Sequence, residues 1–314
     1  MFDKLAVRNI PKHVFSALES LAIAHDRSTE AEARHAIRAW VEPTLLSHER
    51  NARSAIVAER LGRLLEQLNE RPCEKLKPSH IALAIGEPKA KDVEDWFLGL
   101  EEPTFAQLES IATTYGVQPK WLQHGDSSIF KVDSKMLPSN PAEAVDWLLS
   151  WGNTKGQPAA TVTDIYFVRE MTQTGAMAIV KRSSLGHYKI YTTTYHISEE
   201  IGAGGESNLR SLFLTWELLY KRYANGKTDL RLVESYLAHP QEYRLLYEGN
   251  TVPDLVLKKS TAAKWWEDIW HEKMQASREY WPGWTSLYQR ISRSIELTPD
   301  LETLRKKIRA GEVT

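Results

Sequence analysis

The sequence predicts a mainly α-helical chain that ends in a larger α+β domain, and three observations carry that prediction. Apolar residues recur at helical spacing through most of residues 12–124. After Pro138 and Pro141 the pattern changes to short alternating runs separated by turn-sized gaps. Eight of the eleven tryptophans then follow residue 131, at Trp147, Trp151, Trp216, Trp265, Trp266, Trp270, Trp281 and Trp284, so the C-terminal part carries the large side chains of its own core. At 314 residues the chain is long enough for two or three domains of about 150 residues each. The divisions fall at 1–43, 44–130 and 131–314.

Residues 4–10 alternate, with Leu5 and Val7 on one face and Lys4, Ala6 and Arg8 on the other, the pattern of a short strand. Pro11 then suits the first turn of a helix carrying Val14, Leu18, Leu21 and Ala22, with Phe15 alongside. Asp26-Arg27-Ser28-Thr29 breaks the pattern. Ser28 is a good N-cap for the next helix, and Thr29 with Glu32 offers a capping box one residue later. That helix carries Ala33, Ala36, Ile37 and Trp40 and should end before Pro43. One strand and two helices cannot bury their own apolar faces. The lone strand leaves unpaired backbone groups and asks for an identical strand from a second chain.

On Val7-Arg8-Asn9-Ile10-Pro11 and Asp26 to Glu32, residues 4–41 resemble the ribbon-helix-helix family, Arc/MetJ type, and its antitoxin-like branch most closely. Family members usually carry Gly before the Arg-Ser pair; Asp26 stands there, a residue that tolerates left-handed geometry. The resemblance implies a dimer whose paired strands enter the major groove. It places Lys4, Ala6 and Arg8 at the bases and Ser28 and Thr29 at a phosphate.

Residues 44–71 read as one long helix, with Leu45, Leu46, Ile56, Leu61, Leu64, Leu65 and Leu68 as apolar positions. Four short helices follow, at Ser79 to Ile85, Lys89 to Leu98, Thr104 to Tyr115 and Gln118 to Gln123, with stops at Gly86, Gly99 and Gly116. Ala82-Leu83-Ala84-Ile85-Gly86, Val93, Trp96, Pro103-Thr104, Ile111-Ala112, Tyr115-Gly116-Val117 and Trp121-Leu122 resemble the five-helix Cro/CI-type helix-turn-helix repressors. The resemblance implies DNA contact by Ser79, Lys89, Ala90 and Lys91. Against it, Glu94 and Asp95 would face a polyanion, and residues 51–130 hold more acidic than basic side chains.

In residues 131–314 the expected elements are a helix over Ala142 to Trp151 and an antiparallel meander at Thr163 to Arg169, Ala176 to Lys181 and Tyr188 to Tyr195. Asn208 to Tyr223 should be a helix, with Leu212, Phe213, Trp216, Leu219 and Tyr220 as its apolar stripe. A further strand pair is expected at Tyr243 to Tyr247 and Leu255 to Lys258, then helices at Thr261 to Arg278, Thr285 to Ile295 and Pro299 to Arg309. Gly202-Ala203-Gly204-Gly205 lacks the rest of a phosphate loop and reads as a flexible loop. Adjacent Trp265 and Trp266 cannot both face one side of a helix, so one should meet a neighbouring helix or a partner chain.

Catalytic signals are weak. Asp254 with Lys258 has no placed Glu, and His187, His196, His239 and His271 lack metal-ligand spacing, so no catalytic residue, metal or cofactor is assigned. Cys73, with no His or second Cys nearby, reads as an incidental thiol. Forty basic against 41 acidic residues exclude nucleic-acid binding by bulk charge. The lone cysteine, the absence of an apolar leader after Met1-Phe2-Asp3-Lys4 and the short apolar runs suit a cytoplasmic protein without membrane spans. The expected function is sequence-specific transcriptional regulation, as a repressor, by a dimer or higher oligomer on double-stranded DNA. The C-terminal domain would take a small effector or a protein partner. An antitoxin-like protein that masks a partner protein is the rival reading.

Overall fold

The computed structural model describes residues 7–70, 75–152, 159–270 and 278–313, with the backbone alone at 42–52. Contacts divide the chain into two compact units, one running to Glu59 and including Glu94–Glu102, the other made of Arg60–Val93 and of Pro103 onward.

The first unit begins with α1 (Lys12–Ala24) and the start of α2 (Thr29–Asn69). The Pro11 carbonyl accepts the Val14 and Phe15 N–H groups at 3.0 Å, so the proline opens α1. Lys4, Leu5 and Ala6 of the expected strand lie outside the described residues. Val7–Ile10 forms no ladder and bends at Asn9, with φ at 64°. The expected stop before Pro43 does not occur, and α2 runs for 41 residues straight through it. An internal proline costs about 3 kcal/mol. The later turns offset this by burying Val57, Leu61, Leu64 and Leu68.

The second unit holds the end of α2 with α3 (Pro78–Ile85), α5 (Phe105–Tyr115) and α6 (Pro119–His124), α5 packing on both α3 and α6, while α4 (Ala90–Phe97) begins in this unit. Ile81, Leu108, Ile111, Ala112 and Leu122 are fully buried. Thr104 caps α5 in a reciprocal pair with Gln107. The Arg60 guanidinium closes the end of α6 by donating to Leu122 O (3.2 Å) and His124 O (3.0 Å). These helices sit against the C-terminal elements. Gln67 Oε1 accepts the Val252 N–H at 3.0 Å, Phe130 N donates to Gly249 O, and the His187 ring bonds Thr114 O at 2.9 Å. Gly249 (φ +69°) has no room for a side chain, because a Cβ would strike the Phe130 carbonyl.

The sheet has six strands in the order β1-β4-β3-β2-β5-β6: β1 (Val132–Ser134), β2 (Val162–Glu170), β3 (Ala176–Ser183), β4 (Tyr188–His196), β5 (Leu232–Ala238) and β6 (Thr261–Ala262). The predicted meander β2-β3-β4 is antiparallel, with Phe167 opposite Ile179 and Ile179 opposite Tyr191. The antiparallel sheet expected from the sequence is corrected to a mixed one, since β1 pairs with β4 and β5 with β2 in parallel. Strand β2 is buried over eight of its nine residues because both faces are covered. Ile165, Phe167, Met177 and Ile179 join one core with α7 (Pro141–Leu149), α8 (Ala203–Ala224), α11 (Trp284–Glu296) and α12 (Pro299–Ala310). The opposite positions Tyr166, Val168, Ala178 and Val180 are buried too, on the face that carries α9 (Pro240–Glu248) and α10 (Pro253–Lys259).

Those last two helices replace the strand pair expected at Tyr243–Tyr247 and Leu255–Lys258. Pro240 and Pro253 start them, and Gly249 stops the first. The expected helix over Thr261–Arg278 is corrected in its first half, where Thr261–Ala262 is a strand and turns run from Trp265 to Trp270, while residues 271–277 lie outside the described residues. Turn geometry lets Trp265 and Trp266 both enter the core, at 0% and 2% exposure, which one helical face would forbid. Gly202 is no flexible loop; it caps α8, which Ala203–Gly205 opens.

Lys181 on β3 is 1% exposed and its acceptors among the described residues are neutral, Trp147 O and Ser150 O, with its ammonium 3.6 Å from the Trp147 ring centre. Burial, then the nearby Lys189 and Lys135, pulls its pKa down to about 7. Between pH 7 and about 10.5 the unfolded chain therefore holds a proton that the folded chain lacks, so stability rises with pH across that window. Urea midpoints at pH 7 and pH 9 should differ more for the native chain than for Lys181→Met, and equal slopes would refute the assignment.

Candidate nucleic-acid interface

The best-defined part of the predicted DNA-reading segment is the turn between α1 and α2. The helix ends with Arg27 N donating to Ala22 O at 2.8 Å and Asp26 N to Ile23 O at 3.2 Å. This closure needs a left-handed residue, and Asp26 supplies it with φ at 52°. Ser28 then caps α2, its Oγ accepting the Ala31 N–H at 3.1 Å. Ser28 and Thr29 thus stand together at the start of α2, as the sequence predicts, with Ser28 exposed and Thr29 half-buried. Glu30 shares that first turn, exposed and 3.6 Å from Arg34.

Glu32 is offered by the sequence as the partner of Thr29 in a capping box, not as the centre of the bond network it forms across the turn. It is 4% exposed, accepts from the His25 ring at 2.8 Å and the Arg27 guanidinium at 3.2 Å, and so ties the end of α1 to the start of α2. The hydrogen bond from His25, seconded by Arg27, holds its carboxyl below the usual carboxylate range despite burial. The signal that could have found it is a Glu seven residues after His25 and five after Arg27, across a turn.

Arg8 is exposed on the segment before α1. Lys4 and Ala6 lie outside the described residues, so the structure does not place the full predicted reading face. Around it, Val7, Ile10, Val14, Phe15, Leu21, Ile23, Ile37, Trp40 and Val41 are all more than a third exposed, Ile23 at 81% and Trp40 at 84%. Within 7–41 only Ala22 and Glu32 are buried. The module makes almost no core of its own.

The second predicted cluster is split. Lys89 and Ala90 are exposed where α4 begins, and Lys91 is exposed beside them. Ser79 is half-buried in the first turn of α3. Gly86 (φ +77°) ends α3, and Glu87 accepts from Gln107 at 2.8 Å, which fixes the connection to α4. Asp92 lies in the first turn of α4, so the two lysines share it with a carboxylate.

Residues 4–41 match the model of the antitoxin FitA-like ribbon-helix-helix family. The match begins at the predicted strand and ends within α2, so the N-terminal segment is similar to ribbon-helix-helix domains. No curated protein and no solved structure matches the chain. No helix among the described residues is long and apolar enough to cross a membrane, and none of their His, Cys, Asp and Glu side chains form a group of three able to hold a metal ion.

Proposed function

We propose that this chain is a sequence-specific DNA-binding transcriptional regulator, a cytoplasmic repressor with no catalytic step. It acts as a dimer or higher oligomer joined through the ribbon-helix-helix segment. One observation carries this reading: residues 7–41 hold a well-formed two-helix turn yet leave nine large apolar side chains exposed. Such a module is completed by a second copy, whose strand pairs with the first. The paired strands then present Lys4, Ala6 and Arg8 to the major groove, and the start of α2 holds phosphate through Ser28 and Thr29. The α3–α4 pair acts as a helix-turn-helix, with Ser79, Lys89, Ala90 and Lys91 adding contacts. Two readers on one chain raise the effective concentration at a composite operator.

The antitoxin-like reading is favoured by the name of the matching family alone. In it the N-terminus autoregulates while the C-terminal domain masks a partner protein.

The test is capture of sheared genomic DNA by the purified chain at about 150 mM salt. It should recover one repeated motif, which Arg8→Ala and deletion of residues 1–50 both abolish, and sedimentation should show the deletion as a monomer. A motif that survives the deletion moves the reading to Lys89 and Lys91. No enrichment refutes the regulator, and a co-purifying protein then favours the antitoxin.

A further inference from the structure

A cavity of about 430 Å³ opens at the C-terminal end of β2, between the Met171–Gly175 loop, the residues after β4 and the segment Tyr280–Pro282. Its volume falls within the range of small-ligand pockets, roughly 300–1,000 Å³. Arg169 lies in its wall, 2% exposed. The guanidinium is held by neutral groups: Nε donates to Ile197 O at 2.9 Å, Nη1 to Glu170 O at 2.9 Å and Nη2 to Thr172 O at 3.2 Å. Its carbon sits 4.0 Å from the centre of the Trp281 ring. Gly175 (φ +57°) makes room for it, since a Cβ there would collide with the guanidinium.

The arginine is thus built in with care, and among the described residues its hydrogen bonds reach carbonyl oxygens alone. Burying a cation is costly, and burial pulls its pKa down to about 10, with the neighbouring Glu170 offsetting part of the effect. Three of its five N–H groups are used, which leaves two for an incoming oxyanion. The cavity rim carries the opposite charge. Glu199 and Glu200 line it, both exposed, and Gln173 donates to Glu200. Leu237 and Trp281 supply an apolar wall.

A purely anionic ligand would satisfy Arg169 and be repelled by the two glutamates. A purely cationic one would leave the two remaining Arg169 N–H groups without an oxyanion. A ligand bearing both charges satisfies both sides at once. We propose that this cavity is a binding site for a small zwitterion, an amino acid by chemical class. Its carboxylate pairs with Arg169, its ammonium group with Glu199 and Glu200, and its side chain lies against Trp281 and Leu237. The proposal goes beyond the regulator reading and does not need it, because the assay contains no DNA.

The experiment is calorimetric titration of the full-length protein with each of the twenty free L-amino acids, with acetate and methylammonium as single-charge probes. At least one amino acid should bind, and neither single-charge probe should. Glu200→Gln, a rim substitution that leaves the fold intact, should weaken the amino acid about tenfold, the cost of one charge-assisted contact. Arg169→Lys keeps the charge and loses the fork, and should abolish binding. If no amino acid binds at millimolar concentration, the proposal falls. It falls equally if acetate binds as tightly as the amino acid, or if Glu200→Gln leaves the affinity unchanged.

Discussion

Glu217→Ala should destabilise the C-terminal domain by about 3–5 kcal/mol, because it removes the fully buried carboxylate that two arginines share and leaves Arg305 the exposed Glu296 at 3.7 Å. Glu217 lies in the middle of α8 with a side chain of 0% exposure. Arg305 reaches its Oε1 through Nη2 at 2.7 Å and Nε at 2.8 Å, and Arg309 adds Nη2 at 3.1 Å to the same oxygen. The three charges join α8 to α12. Desolvating them costs several kcal/mol per ion, and the close geometry offsets it; removing one partner leaves the cost without the compensation. Replacing the buried pair together, Glu217→Leu with Arg305→Met, should therefore be much milder than Glu217→Ala alone. Urea unfolding of the two variants checks this, and a milder single substitution would show that the pair is not a unit.

Much of this domain was legible in the sequence. The stripe Leu212, Phe213, Trp216, Leu219, Tyr220 predicted α8, and every one of those residues packs in the core. The meander was legible because alternation and turn-sized gaps are local signals. Strand β5 was not, since Leu232–Ala238 pairs in parallel with β2 across the whole of α8, and nothing local marks a crossover partner. Short apolar runs such as Tyr243–Tyr247 fit either period, and only the prolines ahead of α9 and α10 could have decided between them. At the candidate interface the cap at Ser28 and the turn at Asp26 were readable, because both depend on a few adjacent residues. The bond network at Glu32 was not, as it crosses the turn. Arg169 gave no signal at all: it reads as the polar end of a strand, and its burial joins the adjacent 170–175 loop to Ile197 and Trp281, which are far away in sequence.

Trp216→Ala should cost about 3–5 kcal/mol, the upper range for a core deletion. The ring is 0% exposed and touches three different stretches of chain: Phe167 on β2 at 5.5 Å, edge to face, Phe213 one turn earlier on α8 at 5.8 Å, and Trp265 in the turn segment at 5.4 Å, again edge to face. A close-packed site shared by a strand, a helix and a turn cannot collapse to fill the hole, because moving any one ring loosens the other two. Its indole N–H finds no acceptor among the described residues, so part of the burial gain is already spent on a lone polar group. Trp216→Phe removes that group together with part of the ring, and should cost less than about 1.5 kcal/mol. Thermal unfolding of both variants separates volume from polarity. If the phenylalanine variant is as damaged as the alanine one, the indole N–H has an acceptor and the packing argument for this site is wrong.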